Sequence, residues 1–233
     1  MPVLLLARGD QASRTLLRQA IEARYGHSAP MIETLKIDFK GKMRVKVAFT
    51  STWMPIDAAV CIKFPSAIRW DVTMRPAGLP VNTLSEAFDG ESRRRSRVLR
   101  EATVDTGTES LKSSQARLWS VAVMLLTPLS DPAIQVSRVD DETLEVENTE
   151  SGIHVNLTLN EDKTLNQITT PCYNPDTERE QVYRLRVSGG QCMIDDLMLP
   201  RKIEVLWDDE LDMEISPLNV EINPTFAEDF FKI

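Results

Sequence analysis

The chain has 233 residues, is 42% hydrophobic and carries a formal net charge of -8, with a pI near 5.0. That length and apolar content can bury a substantial core, and all-β domains of this size are commonly one unit, so one domain spanning residues 1–233 is expected. The acidic balance, with no stretch that interleaves aromatic and basic residues, excludes general nucleic-acid binding, which depends on a basic footprint.

The opening residues place no basic region ahead of the apolar run Val3 to Ala7, and that run is shorter than the core of a signal peptide. As written, the chain is expected to carry no export signal and to be cytoplasmic if this N-terminus is the native one. From Asp10 to Tyr25 the spacing of Leu16, Leu17, Ala20, Ile21 and Tyr25 predicts an amphipathic helix. Asp10 or Ser13 can cap its start, and Gly26 is placed for a left-handed C-terminal cap.

Two alternating runs follow. Leu35, Ile37 and Phe39 oppose Lys36, Asp38 and Lys40; after Gly41-Lys42, Met43, Val45, Val47 and Phe49 oppose Arg44 and Lys46. Period two about a Gly-containing turn predicts a hairpin with one wet face. The pattern returns in Val60, Ile62 and Phe64 and, across Pro65-Ser66-Ala67, in Ile68, Trp70, Val72 and Met74, which makes an antiparallel meander. Pro76 to Pro80 is a loop, and Leu84 to Phe88 leads to the turn Asp89-Gly90. The run Arg93-Arg94-Arg95-Ser96-Arg97, with Arg100, is the most basic patch. Its plainer reading is an exposed strand edge whose charge discourages association; its sharper reading is a cradle for an anionic headgroup or phosphate. Thr103 to Ser114 is polar and reads as a mobile loop.

The stretch Leu118 to Leu126 is interrupted only by Ser120. A helix that is apolar nearly all round has no face to give to water and must be covered on several sides. Ser113, Ser114 and Gln115 before it and Pro128 after it predict a helix from about Ser114 to Thr127, too short for a bilayer, which needs roughly 20 apolar residues.

Strands resume with Ile134 to Val139, Thr143 to Glu147, Ile153 to Leu159 and Lys163 to Thr170. Pro171 to Glu180 reads as a loop. Tyr183, Leu185 and Val187 alternate with arginines up to a turn at Gly189-Gly190, and Met193 begins a return. Ile203 to Trp207, Leu211 to Ile215 and Leu218 to Ile222 complete the pattern; Asn223-Pro224 ends it, and Phe226, Phe230 and Phe231 form a closing apolar patch. The expectation is a mainly β, α+β protein of about eleven antiparallel strands and two helices, without the strand-helix alternation of a parallel nucleotide-binding fold. Val139 to Asp162 holds eight acids and Ile203 to Phe231 nine, neither with a Lys or Arg; these read as solvated outer faces and hairpin tips, or alternatively as an acidic surface for a basic partner.

No nucleophile, phosphate-cradling glycine loop or H-E-x-x-H motif is present. Cys61, Cys172 and Cys192 have neither zinc-site nor disulfide-framework spacing, though one bridge such as Cys172 to Cys192 stays open. His27 and His154 are the two histidines, and neither has the neighbours of a metal site. The pairs Asp140-Asp141, Asp195-Asp196 and Asp208-Asp209 point to opposite faces on a strand or to solvent on a turn, which leaves their pKa values unsplit. No catalytic residue, metal or cofactor is therefore assigned.

The order of elements resembles the LolA/LolB-like lipoprotein-carrier superfamily. The resemblance is carried by the helix before the first hairpin, by Lys63-Phe64-Pro65-Ser66-Ala67-Ile68-Arg69-Trp70, by Phe88-Asp89-Gly90, by the mid-chain segment Val121 to Leu129 and by Leu197-Met198-Leu199-Pro200. It implies an unclosed antiparallel β-barrel curled around internal helices, whose concave apolar face takes a lipid, an acyl chain or a lipoprotein, in the periplasm or cell envelope. Phe39, Val47, Trp70, Val72, Val121 and Leu125 are expected to line that interior and form the ligand-binding set, although periodicity does not say which sheet face is concave. The alternative is a module that binds a protein partner through an exposed sheet edge or acidic face.

Overall fold

A computed structural model describes residues 7–27, 29–47, 50–97, 100–126, 129, 131–174 and 176–233, with Val47 and Arg100 described by their backbone. Helix α1 (Gln11–Tyr25) precedes β1 (Thr34–Val47), β2 (Thr50–Lys63), β3 (Ala67–Met74), β4 (Asn82–Phe88), β5 (Arg93–Arg97) and β6 (Arg100–Asp105). Helix α2 (Thr108–Leu125) then leads into β7 (Ile134–Arg138), β8 (Thr143–Asn148), β9 (Ile153–Leu159), β10 (Leu165–Asn174), β11 (Arg179–Ile194), β12 (Leu197–Trp207) and β13 (Glu210–Ile222).

These thirteen strands form one antiparallel sheet in the order β6-β5-β4-β3-β2-β1-β13-β12-β11-β10-β9-β8-β7, so it curves without closing. Each half is a meander of sequence neighbours, and the halves join where β1 pairs with β13, Leu35 opposite Ile222. The fold is thus the mainly β, unclosed half-barrel that the alternating runs and the family resemblance imply.

The concave face is the one carrying Ile37, Phe39, Val60, Ile62, Ile68 and Val72, which share a single core with α2. Leu118 through Leu125 are all buried, as a helix apolar on every side requires. They pack on β9 and β10 and are covered at the far end by α1. There Arg24 Nη1 donates to the carbonyl of Met124, and the Tyr25 hydroxyl donates to the carbonyl of Leu125 at 2.8 Å. These donors meet α2 carbonyls left without intrahelical partners and sit at the negative end of its dipole. Burial lowers the Arg24 pKa. On α1 itself the Asp10 carboxylate accepts from Ser13 N at 2.7 Å, and Gly26 takes φ 63°, as the capping pattern predicts.

Several local expectations are corrected. Gly41-Lys42 is not a turn: β1 runs straight through it, and glycine is needed because a Cβ there would lie 1.9 Å from the carbonyl oxygen of Glu214 on β13. Gly189-Gly190 also lies inside a strand, where the β11 register shifts against β12, both residues at positive φ in a bulge. The first reversal falls instead past the pair Val47 and Thr50 and the later one at Asp195-Asp196; Asp195-Asp196 and Asp208-Asp209 are two-residue loops with positive φ at both positions, the geometry of tight hairpin turns.

The loop assigned to Thr103 to Ser114 is β6 followed by the first turns of α2. Two of the serine hydroxyls there that would compete with the backbone are engaged elsewhere: Ser114 donates to the carbonyl of Ser110 at 3.0 Å and Ser113 to that of Tyr173 at 2.6 Å. Thr127, the expected helix end, lies outside the described residues, as do Phe49 and Pro128. Pro171 sits within β10, beyond the last pair with β9, so its missing N–H interrupts no ladder. The arginine-rich β5 is not the edge, since β6 pairs outside it. All three cysteines are free. The C-terminal Phe226, Phe230 and Phe231 pack on the convex side against Cys61 and Ala67, with the Arg69 guanidinium 4.6 Å from the Phe230 ring centre.

Candidate functional site

Alternation along strands that meet across the concave face brings one set of inward side chains to a cavity of about 180 Å³. Its walls are Trp70 and Val72 from β3, Leu84 from β4, Met43 from β1, Tyr183 from β11, Val205 and Trp207 from β12 and Met213 from β13. Tyr183 and Trp207, paired across β11 and β12, stack at a tilt with ring centres 5.0 Å apart. One side is charged: Glu86 is two residues from Leu84, Arg93 and Arg95 are the inward residues of β5, Arg117 reaches in from α2, and Asp176 lies between β10 and β11.

Three guanidiniums converge on Glu86. Arg93 Nη2 donates to it at 2.8 Å and Arg117 Nη1 at 2.6 Å, while Arg95 Nε lies 3.8 Å away. Arg95 also makes a forked contact with Asp176, at 2.6 and 3.3 Å, the geometry in which a guanidinium grips a carboxylate best. Burial alone would raise the Glu86 pKa, but Arg117, Arg93 and Arg95 outweigh it and hold the carboxyl at about 2. Glu86 in turn raises Arg117 against its own desolvation. Burial pushes the Tyr183 hydroxyl up to about 12, against the pull of Arg117.

Asp212 enters by a different route. The register of β13 against β12 steps between Val205 opposite Met213 and Leu206 opposite Leu211, which leaves Asp212 as the extra residue of a bulge. Adjacent strand residues normally face opposite ways, yet Asp212 and Met213 both line the cavity; the bulge re-aims the carboxylate inward. Asp212 has no hydrogen bond or ion pair among the described residues, and burial, then the charge of Asp176, raises its pKa.

Of the six expected interior residues, Trp70 and Val72 line the cavity. Phe39, Val121 and Leu125 are on the same concave side but within the packed core, at 3%, 4% and 0% exposure. Val47 ends β1 opposite Thr50, and its side chain lies outside the described residues. The sequence reading missed Glu86, Arg117 and Asp212. Glu86 left a signal, being an acid between Leu84 and Phe88 on one face of a strand, and Arg117 left one as a charge at the start of an apolar helix. Asp212 left none, because a bulge is not visible in alternation. A second hollow, of about 490 Å³, is a shallow polar groove between Gln11, Thr15 and Gln19 of α1 and Arg138, Asp141 and Lys163; it gathers none of these buried groups. Among the described residues no cluster of His, Cys, Asp or Glu is arranged to hold a metal, and no helix is long and apolar enough to cross a membrane.

A half-barrel of antiparallel strands around a helix, with an amphiphilic cavity on its concave side, is a LolA-like fold. Three solved structures share it. A DUF1329 family protein from Desulfovibrio piger has a TM-score of 0.51 at 9% identity, with 95% of this chain and 98% of that one covered. A LolA superfamily protein from Nitrosomonas europaea has 0.50 at 10%, covering 94% and 96%. A domain described as a candidate outer membrane lipoprotein-sorting protein from Vibrio parahaemolyticus has 0.53 at 11%, covering 95% and 98%. At these identities the likeness is one of fold. No match is found among curated proteins. The chain belongs to a family of unknown function, DUF6544, whose model matches residues 20–215.

Proposed function

We propose that the protein is a non-catalytic carrier or binding protein, a single LolA/LolB-like unit that holds one end of a lipid, an acyl chain or a lipoprotein's lipid at its concave face. The observation that carries this reading is the cavity itself, with aromatic and aliphatic walls on one side and buried charge on the other. Its volume of about 180 Å³ is below the ~300–1,000 Å³ of pockets that enclose a whole small ligand, which suits one end of an amphiphile. The likeness to lipoprotein-sorting and LolA superfamily structures agrees with it, and with work in the periplasm or cell envelope. Glu86 is gripped by three guanidiniums and held ionised, its pKa at about 2, which makes it a salt-bridged anion and a weak proton acceptor near neutral pH, in keeping with a binding role.

Native mass spectrometry of protein purified without detergent, followed by lipid extraction, tests the proposal. A co-purifying amphiphile, or saturable uptake of a fluorescent acyl probe, is the expected result. Protein free of lipid that takes up no acyl probe would overturn it.

A further inference from the structure

Arg93, Arg95 and Arg117 meet at the cavity over the two carboxylates they pair with, Glu86 and Asp176. Glu86 and the guanidiniums are largely removed from water, so their charge has to be balanced nearby, whereas the Asp176 carboxylate is 63% exposed and balances Arg95 from the solvent side. The third carboxylate, Asp212, faces the same space without a partner, turned inward by the β13 bulge. With Asp212 protonated, this inner group is one negative charge short. With it ionised the charges balance, but the carboxylate then lacks a donor. Donors are unmet as well: Arg93, 7% exposed, and Arg95 each have a buried Nε without an acceptor.

We infer that the cavity is a headgroup site for one oxyanion, the chemistry shared by carboxylate, phosphate monoester and sulfonate ends, with Arg117 and Arg95 as its anchors and Asp212 deciding whether the anion is admitted. Protonated, Asp212 donates a hydrogen bond to the bound anion; ionised, it supplies the missing charge itself and repels a second. The inference rests on the amphiphile reading above and adds the polarity of the end that enters. A cationic end would meet three guanidiniums, and a neutral one would leave their surplus charge unanswered.

The groups facing Asp212 are Asp176 from the β10–β11 connection, Arg117 from α2, Arg44 from β1 and Tyr183 from β11. Arg44 is engaged by Glu210 at 2.8 Å on the same strand as Asp212. Burial and Asp176 raise Asp212, Arg117 and Arg44 oppose them, and the balance is upward. Asp212 therefore keeps its proton to higher pH than a free aspartate, and anion binding weakens as pH rises through its titration. Tyr183 stays neutral and Glu86 ionised across that range.

The test titrates the full chain with a long-chain alkyl sulfonate, ionised throughout, with the alcohol of the same chain and with inorganic phosphate, at roughly pH 4, near the ordinary aspartate value above which Asp212 is raised, and at roughly pH 8. The sulfonate is expected to bind about tenfold tighter than the alcohol, the effect of one charge-assisted hydrogen bond, and more tightly at the lower pH. Asp212→Asn should remove the pH difference and leave the alcohol unaffected. Equal binding of sulfonate and alcohol by the wild-type protein would overturn the headgroup site and leave the amphiphile reading standing. Phosphate bound without either amphiphile would support the oxyanion site and overturn the amphiphile reading. Binding of none of the three would overturn both.

Discussion

Replacing Glu86 by Gln keeps the shape of the side chain and removes the charge on which three guanidiniums converge. The carboxyl is held at about 2 in the folded chain against an ordinary value of 4.5, which corresponds to about 3 kcal/mol at ~1.4 kcal/mol for each tenfold change in proton affinity. Removing one partner of a buried ion pair costs about 3–5 kcal/mol in other proteins, so two separate lines of reasoning agree in size. Because the folded value lies below the unfolded one, the stabilisation is complete above pH 4.5 and is lost as pH falls through about 2. Urea unfolding of wild type and Glu86→Gln, compared at each pH, cancels the contribution of every other carboxylate. The expected difference is about 3 kcal/mol at neutral pH, shrinking toward zero near pH 2. A difference under about 1 kcal/mol at neutral pH, or one that does not change with pH, would refute the claim that the guanidiniums stabilise an ionised Glu86.

Gly41→Ala would place a Cβ 1.9 Å from a backbone oxygen of β13; the variant should lose at least about 2 kcal/mol in urea unfolding, and an unchanged midpoint would show that the seam yields easily. Leu125→Ala, at a fully buried position, should cost about 3 kcal/mol of stability while the folded protein keeps its affinity for an acyl probe. Trp70→Ala should show the opposite balance, with weaker probe binding and a smaller stability loss; the reverse pattern would move the ligand from the cavity to the helix. Intact mass should not change on reduction, and alkylation should reach the half-buried Cys192 first. Cys61, pushed up to about 11 chiefly by burial, and the buried Cys172 should react only on unfolding; early labelling of Cys61 would contradict its burial against the C-terminal phenylalanines.

Alternation was enough to read the fold, because a one-faced strand must put its apolar residues on a common side and a meander keeps neighbours adjacent. The misreadings share a cause. Glycine signals a turn in sequence, but Gly41 answers to the backbone of Glu214, which lies far along the chain, and Gly189-Gly190 to a bulge. The start of α2 was hidden because Ser110, Ser113 and Ser114 have weak helical preference, and the partner that engages Ser113, the Tyr173 carbonyl, comes from β10. In the site, alternation showed that Arg93 and Arg95 share a face but not that it is the concave one. That depends on α2 and on the opposite half of the sheet. Among the candidates, Trp70 and Val72 differ from Phe39, Val121 and Leu125 in lying beside the cavity, although Val72 is as buried as Val121, and alternation does not encode that position.

The seam at the centre of the sheet bears on how the protein is made. Glu33 N donates to the Asn223 side chain at 2.8 Å across 190 residues of sequence. As the chain leaves the ribosome, β1 to β6 can pair hairpin by hairpin, but the middle of the concave wall stays open until the last strand arrives. Joining segments so distant carries a large loop-closure entropy and makes this the slow step. A nascent chain stalled before β13 leaves both β1 and β12 as uncovered inner strands, each with a row of free backbone donors and acceptors. That intermediate is the one a chaperone would have to shield, and the species from which aggregates would grow.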